Sequence, residues 1–341
     1  MLTNRKINSF HILSCFLLMM LTKVAFSQDI NQINLANEYY NMGDVDKALD
    51  MYKKLARNKK NIPIIHRNYF ELLLSMDDLN TAEKYIDEVI KSRPDNIYYI
   101  IDKGLLYQRA NDLDKESSYY KKVFNDLKKD DRKTRQAAQY LIGKQKLDYA
   151  EELYLMGRNE QKDPYRYAIE LATIYRLLNE KDKMIREYLN FVNRSPNNLP
   201  YVRNVLQNYL TESEDLKSLE NLLYDLIQKD PENNIYSELI IWVNIQQRNF
   251  YGAFIQARAY DLRMGKEGNE IFEVGLIALE NKDYETAIDI FDHLIKTYQT
   301  SYIYPIAKRY KIKSREELVK NTFPVNESEI RKLIDDYNLL V

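Results

Sequence analysis

Residues 281–298 read NKDYETAIDIFDHLIKTY. Ala287, Ile288, Phe291, Leu294 and Ile295 fall three or four residues apart, so a helix gathers them into one apolar stripe, and Asp283 can cap its first turn. The same plan recurs at 43–55, GDVDKALDMYKKL, with Ala48 where Ala287 stands and Tyr52 where Phe291 stands. A third copy surrounds Ala82. Followed along the chain, the first stripe position reads Ala48, Ala82, Glu116, Ala150, Met184, Leu219, Ala253 and Ala287. Each step is 34 residues except one of 35 between Met184 and Leu219. Four residues on stand Tyr52, Ile86, Tyr120, Tyr154, Tyr188, Leu223, Ala257 and Phe291, and Pro94, Pro196 and Pro231 keep the phase. Such a period predicts a stack of helical hairpins, each too small to bury its own apolar face.

These residues resemble the tetratricopeptide repeat, a 34-residue helix–turn–helix unit with a small residue facing the first helix, an aromatic one turn later and a proline at the junction. The first unit carries Leu35, Ala36, Tyr39, Gly43, Ala48 and Tyr52; the third, Gly104 and Tyr107; the fifth, Leu171, Ala172, Tyr175, Tyr188 and Pro196; the eighth, Gly275, Ala287 and Phe291. The resemblance implies an all-α fold, a right-handed superhelical solenoid of about eight repeats, and a protein-binding role. Ala48, Ala82, Ala150, Ala253 and Ala287 are then the repeat-packing residues. Glu116, Met184 and Leu219 depart from the small-residue rule and predict helix pairs set slightly further apart. The extra residue of the 35-residue step is expected near 197–200.

Domain organisation follows. Residues 28–302 form the array. Residues 303–341 form a C-terminal capping hairpin, with helices over 305–320 and 327–340 and Asn326 with Glu329 as a capping box. Its last residues, Leu339, Leu340 and Val341, are apolar, and packing back onto the array is the default. Residues 1–27 read as a secretory signal peptide. Arg5 and Lys6 precede a short apolar run at 12–21, and Ala25 and Ser27 make a small-x-small cleavage site. The run is too short to span a membrane. Cys15, the single cysteine, loosely resembles a lipoprotein acceptor, but the apolar stretch before it is short. Export across an inner membrane to a bacterial periplasm or cell envelope is therefore expected.

Composition narrows the function. There are 8 Gly and 8 Pro, too few for a turn-rich β fold. Fifty basic and 51 acidic residues leave a net charge of −1, with no pull toward nucleic acid or an anionic membrane. The 29 tyrosines suit wedging between helices with their hydroxyls at the rim. No H-E-x-x-H, phosphate-cradling glycine loop or G-x-S-x-G is present, so no catalytic residue, cofactor or metal is assigned. His66 and His293 read as surface or rim residues.

The resemblance places partner binding on the first helices of the repeats. It assigns Arg67, Tyr98, Arg132, Arg135, Gln139, Arg166, Arg176, Asn204, Asn208 and Trp242 to a groove, with Ile33, Asn37, Tyr40, Glu71, Arg109, Thr173, Tyr201 and Glu238 also facing inward. Arginines and amides can fork onto carboxylates, and Tyr and Trp anchor interfaces. The expected ligand is an extended, net acidic segment of another protein. Members that clamp the acidic end of a cytosolic chaperone use five polar positions, matched here by Ile33, Asn37, Asn68, Tyr98 and Asp102. The asparagines are kept and the three cations are gone, so that role is not expected. The function read from the sequence is a non-catalytic interaction scaffold, reaching a membrane only through a partner. The alternative is a sugar-binding helical-repeat lipoprotein of an outer membrane.

Overall fold

Acidic or amide residues punctuate the stripes and start their helices. Asp44, Asp78, Asp112, Asn249 and Asp283 each stand four residues before the recurrent stripe position, and each side chain accepts a hydrogen bond from a backbone N–H of the first turn. Such caps contribute about 1 kcal/mol apiece. A computed structural model describes residues 29–324 and 326–338. Residues 1–27, expected to be a signal peptide, with Cys15, and the apolar end Leu339, Leu340 and Val341, lie outside the described residues.

Among the described residues the fold is all-α, a series of helix–turn–helix repeats. The chain divides into two compact units, one up to Tyr167 and one from Ala168. In the first, α1 (29–41) pairs with α2 (Val45–Leu55), α3 (Ile62–Ser75) with α4 (Leu79–Ser92), α5 (Ile97–Arg109) with α6 (Leu113–Leu127), and α7 (Asp131–Gly143) with α8 (Leu147–Glu160). In the second the pairs are α9 (Ala168–Leu177) with α10 (Lys181–Arg194), α13 (Asn234–Gln246) with α14 (Phe250–Met264), and α15 (Asn269–Glu280) with α16 (Tyr284–Thr297); between them come α11 (Leu199–Tyr209) and α12 (Ser213–Lys229), with α12 packed on α13. The C-terminal hairpin is α17 (Ile303–Asn321) and α18 (Glu327–Asn338).

The turn inside most repeats uses a left-handed residue. Gly43, Asp77, Asn111, Gln145, Asn179, Arg248 and Lys282 all have φ between +55° and +75°. Only the first is glycine, and a β-carbon in this region costs about 1–2 kcal/mol. Lys282→Gly should therefore raise stability by about 0.5–1 kcal/mol, net of the extra freedom glycine has in the unfolded chain. A higher thermal midpoint checks this; a lower one would show that the lysine side chain contributes more than the strain. The turn between α11 and α12 lacks this residue and starts instead with a Glu212–Asp215 capping box. A 3₁₀ turn, Pro196–Asn198, precedes α11. The 35-residue step thus coincides with irregular turns on both sides of α11.

All eight stripe positions are buried, from Ala48 to Ala287, as are all eight positions one turn later. Tyr52, Tyr120, Tyr154 and Tyr188 are wholly inside rather than rim wedges. Two of these hydroxyls find an internal acceptor: Tyr52 donates to Asn37 Oδ1 at 2.6 Å and Tyr120 to the Ile101 carbonyl at 3.0 Å. The ring needs a small residue opposite it. A β-carbon on Gly104 would lie 2.2 Å from Tyr120 Cζ, and one on Gly275 would lie 2.8 Å from Phe291 Cε1. Ala36, Ala138 and Ala172 hold the same place opposite Tyr52, Tyr154 and Tyr188. Where the first helix carries a large residue, Phe70 or Ile241, the second carries a smaller one, Ile86 or Ala257. These seven repeats fill one volume from either side; in the sixth, the matching residue opposite Leu223 is the exposed Gln207.

Glu116 sits at a small-residue position yet is only 2% exposed. Lys146 Nζ meets its Oε1 at 2.9 Å from the start of the next repeat's second helix. Lys146→Met should cost about 2 kcal/mol, the scale of a lost hydrogen bond to a charged group. Denaturant unfolding of the single variant and of Lys146→Met with Glu116→Ala checks the pairing. The double variant should recover most of the loss, and equal costs would sever the link.

The terminal hairpin differs in kind from the repeats. Helix α18 has no buried residue. Ion pairs hold it to α17: Arg315 with Asp336 at 2.9 Å and Glu329 at 3.4 Å, and Lys311 with Asp336 at 3.2 Å. Asn326 accepts from the Ser328 N–H at 3.0 Å and so starts α18.

Candidate functional site

Within the first unit, the first helices of three successive repeats, α3, α5 and α7, contribute to one pocket of about 510 Å³. The local sequence sets their starts. Pro63 sits in the first turn of α3. The Asn96 side chain accepts from the N–H groups of Tyr98 and Tyr99 at 3.0 and 3.4 Å, so both tyrosines open α5. Asp130 caps α7 through the Lys133 N–H at 3.0 Å.

The floor is a buried polar network. His66 Nε2 lies 2.9 Å from Asp102 Oδ2, and His66 Nδ1 lies 3.2 Å from the Tyr85 hydroxyl. The Tyr140 hydroxyl donates to Asp102 Oδ1 at 2.8 Å. Burial, then the Asp102 charge, holds the Tyr140 hydroxyl well above its ordinary pKa, so it stays a donor. Rings enclose the imidazole: Phe70 stacks at 5.5 Å, Tyr85 at 5.7 Å, and Tyr99 meets it edge-on at 4.5 Å. His66, expected at the rim, is only 6% exposed. Its aromatic cage and the carboxylate one repeat away make that burial tolerable.

The walls are the rings of Tyr98, Tyr99 and Tyr140, with Tyr98 and Tyr140 in edge contact at 4.9 Å and 62°. At the rim, Arg67 and Lys144 share one carboxylate, Glu71, at 3.7 and 3.2 Å. The Arg67 side chain is 82% exposed. Gly143 leaves the wall open, since a β-carbon there would meet nothing within 4 Å.

Three groove residues expected from the sequence, Arg67, Tyr98 and Gln139, thus come together around this pocket. The others fall elsewhere. Arg132 is exposed on α7. Arg135 and Arg166 turn onto Asp131, at 3.3 and 2.8 Å, and both cations lie over the Tyr167 ring. Burial pushes the Asp131 carboxyl up, but bonds such as that from Arg166, and the Arg135 charge, outweigh it and hold the group below the usual range. In the second unit Arg176 lies over the Tyr209 ring at 5.4 Å. Asn208 bonds Asn204, Tyr201 is exposed, Trp242 is half-buried on α13, and Glu238 meets Arg203 at 3.4 Å.

Three inward assignments change, as does the reading of Asp102. Ile33 is 3% exposed and belongs to the first unit's core. Asn37 accepts from both Tyr52 and Asn68, so the two retained asparagines serve the interior. Arg109 reaches along to the end of α3, bonding the Leu74 carbonyl and Asp77. Asp102 holds the floor. Sequence reasoning missed His66, Tyr99, Tyr140 and Lys144 as pocket residues. A detectable sign was a histidine inside the apolar run IPIIHRNYF, with an acid 36 residues on and a tyrosine 38 beyond that.

Among the described residues no helix is long and apolar enough to cross a membrane, and no group of three or more His, Cys, Asp or Glu could hold a metal ion. A tetratricopeptide-repeat family model matches residues 31–61. A repeat-containing protein of Methanocaldococcus jannaschii is 30% identical over 96 residues, 28% of this chain and 17% of the relative's length. Among solved structures, a tetratricopeptide repeat protein from Parabacteroides merdae is 13% identical with a TM-score of 0.28, covering 84% of this chain and 98% of its own. Yeast Tom70 is 12% identical with a TM-score of 0.27, covering 92% of this chain and 77% of its own.

Proposed function

We propose that this chain, a tetratricopeptide-repeat protein, is a non-catalytic scaffold that holds a segment of another protein against the first helices of its repeats. The observation that carries the reading is the pocket on α3, α5 and α7, where exposed Arg67, Tyr98 and Gln139 surround tyrosine rings. Its floor supports binding rather than turnover. Both nitrogens of His66 and both oxygens of Asp102 are already engaged, so neither is free to act as a general base. The partner is a protein, with no nucleic acid involved, in keeping with the near-zero net charge. Export, through residues 1–27, to a periplasm or cell envelope belongs to the same proposal. The acidic-segment expectation narrows. Arg135 and Arg166 are already committed to Asp131, and Arg109 to Asp77, while Arg67 and Arg132 stay exposed on this face.

Affinity capture from the source cells tests this, using the protein beside Arg67→Glu with Tyr98→Ala and beside Lys84→Glu, an exposed change on α4. A partner lost at least tenfold in the first variant and kept in the second is expected. Equal capture by all three would move the function away from this face.

A further inference from the structure

Resting on that reading, we propose that the pocket over His66 is an anchor for one aromatic side chain of the bound segment, with a neighbouring carboxylate of that segment held at the rim by Arg67 and Lys144. Several observations converge. The walls are rings already meeting edge to face: Tyr98 on Tyr140 at 4.9 Å and Tyr99 on His66 at 4.5 Å. A further ring extends that arrangement at its preferred geometry. The floor donors and acceptors satisfy one another, so a polar head entering the pocket would lose water and gain no partner from the floor. An aromatic face loses little there.

The rim decides the charge of what sits beside the ring. Two cations converge on a single carboxylate, Glu71. At the rim itself cations outnumber carboxylates, with the Asp102 charge buried beneath the rings, and Arg67 presents its planar fork to solvent. A cationic group beside the ring would face Arg67 and Lys144 at the rim. At about 510 Å³ the pocket has room for a ring and the adjoining backbone, within the ~300–1,000 Å³ typical of ligand sites. The open wall at Gly143 gives the entry and a way to block it.

The probes are three blocked dipeptides: N-acetyl-Phe-Asp amide, N-acetyl-Phe-Asn amide and N-acetyl-Ala-Asp amide. Ligand-observed saturation-transfer NMR and titration calorimetry read binding to the full chain. Phe-Asp should bind, Phe-Asn about tenfold more weakly, and Ala-Asp not measurably. Gly143→Leu, which fills the opening, and Tyr98→Ala, on an exposed wall residue, should each abolish the Phe-Asp signal with the thermal melt unchanged. The anchor is overturned if none of the dipeptides binds, if Ala-Asp matches Phe-Asp, or if both folded variants bind as the parent does. The two readings fail separately. Gly143→Leu that still captures a cellular partner removes the anchor and leaves the scaffold. A parent chain that captures nothing removes the scaffold.

Discussion

Gly104→Ile is expected to cost at least ~4 kcal/mol, the range reached by severe overpacking. Its β-carbon alone would lie 2.2 to 2.5 Å from three atoms of the Tyr120 ring, and that ring cannot move because it is wholly buried. The ring also stacks on Phe124 at 5.5 Å and meets Tyr149 at 4.4 Å. Tyr120→Ala alone should cost about 3–5 kcal/mol by leaving a cavity. Together the two should cost less than their sum by about 2–3 kcal/mol, because an isoleucine opposite an alanine is the arrangement the seventh repeat already uses at Ile241 and Ala257. Denaturant unfolding of the four proteins measures the coupling. Additive costs would mean that the two positions do not share one volume.

Asp102→Ala should be the most damaging change beneath the pocket, at about 3–5 kcal/mol. It leaves His66 Nε2 and the Tyr140 hydroxyl without their shared acceptor, in a setting where Asp102 is 3% exposed. Asp102→Asn separates lost shape from lost bonding. Its oxygen can accept from Tyr140, and its amide can donate to a neutral imidazole, so about 1 kcal/mol is expected. The alanine variant also tests the pocket itself. With Tyr140 no longer tied down, a bound aromatic probe should weaken even where the fold survives at low temperature. An alanine variant as stable as the parent would show that the His66 network is incidental to the fold.

The repeat was legible because burial imposes it. Each hairpin must hide one stripe, so the stripe recurs at the repeat length, and all its positions from Ala48 to Ala287 are buried. Caps at Asp44 and Asp283 were readable for a similar reason, since they act on the backbone three residues away. What depends on the neighbouring repeat was harder to see. Glu116 looked like a defect until Lys146, 30 residues on, closed over it. His66 looked like a rim residue because its partners, Asp102 and Tyr140, lie one and two repeats further along. The arginines of α7 and of the turn after α8 looked available, but Asp131 had already taken Arg135 and Arg166. A period tells which side chains face inward along a helix. It does not tell which polar groups satisfy each other across helices.

The central claim is that a partner lies against the first-helix face of the first unit. A photo-crosslinking residue at Gln139, exposed beside the pocket, compared with one at Lys84, exposed on α4, tests it in the source cells. Adducts to one protein from position 139, absent from position 84 and lost with Gly143→Leu, are the predicted result. Adducts only from position 84 would contradict it.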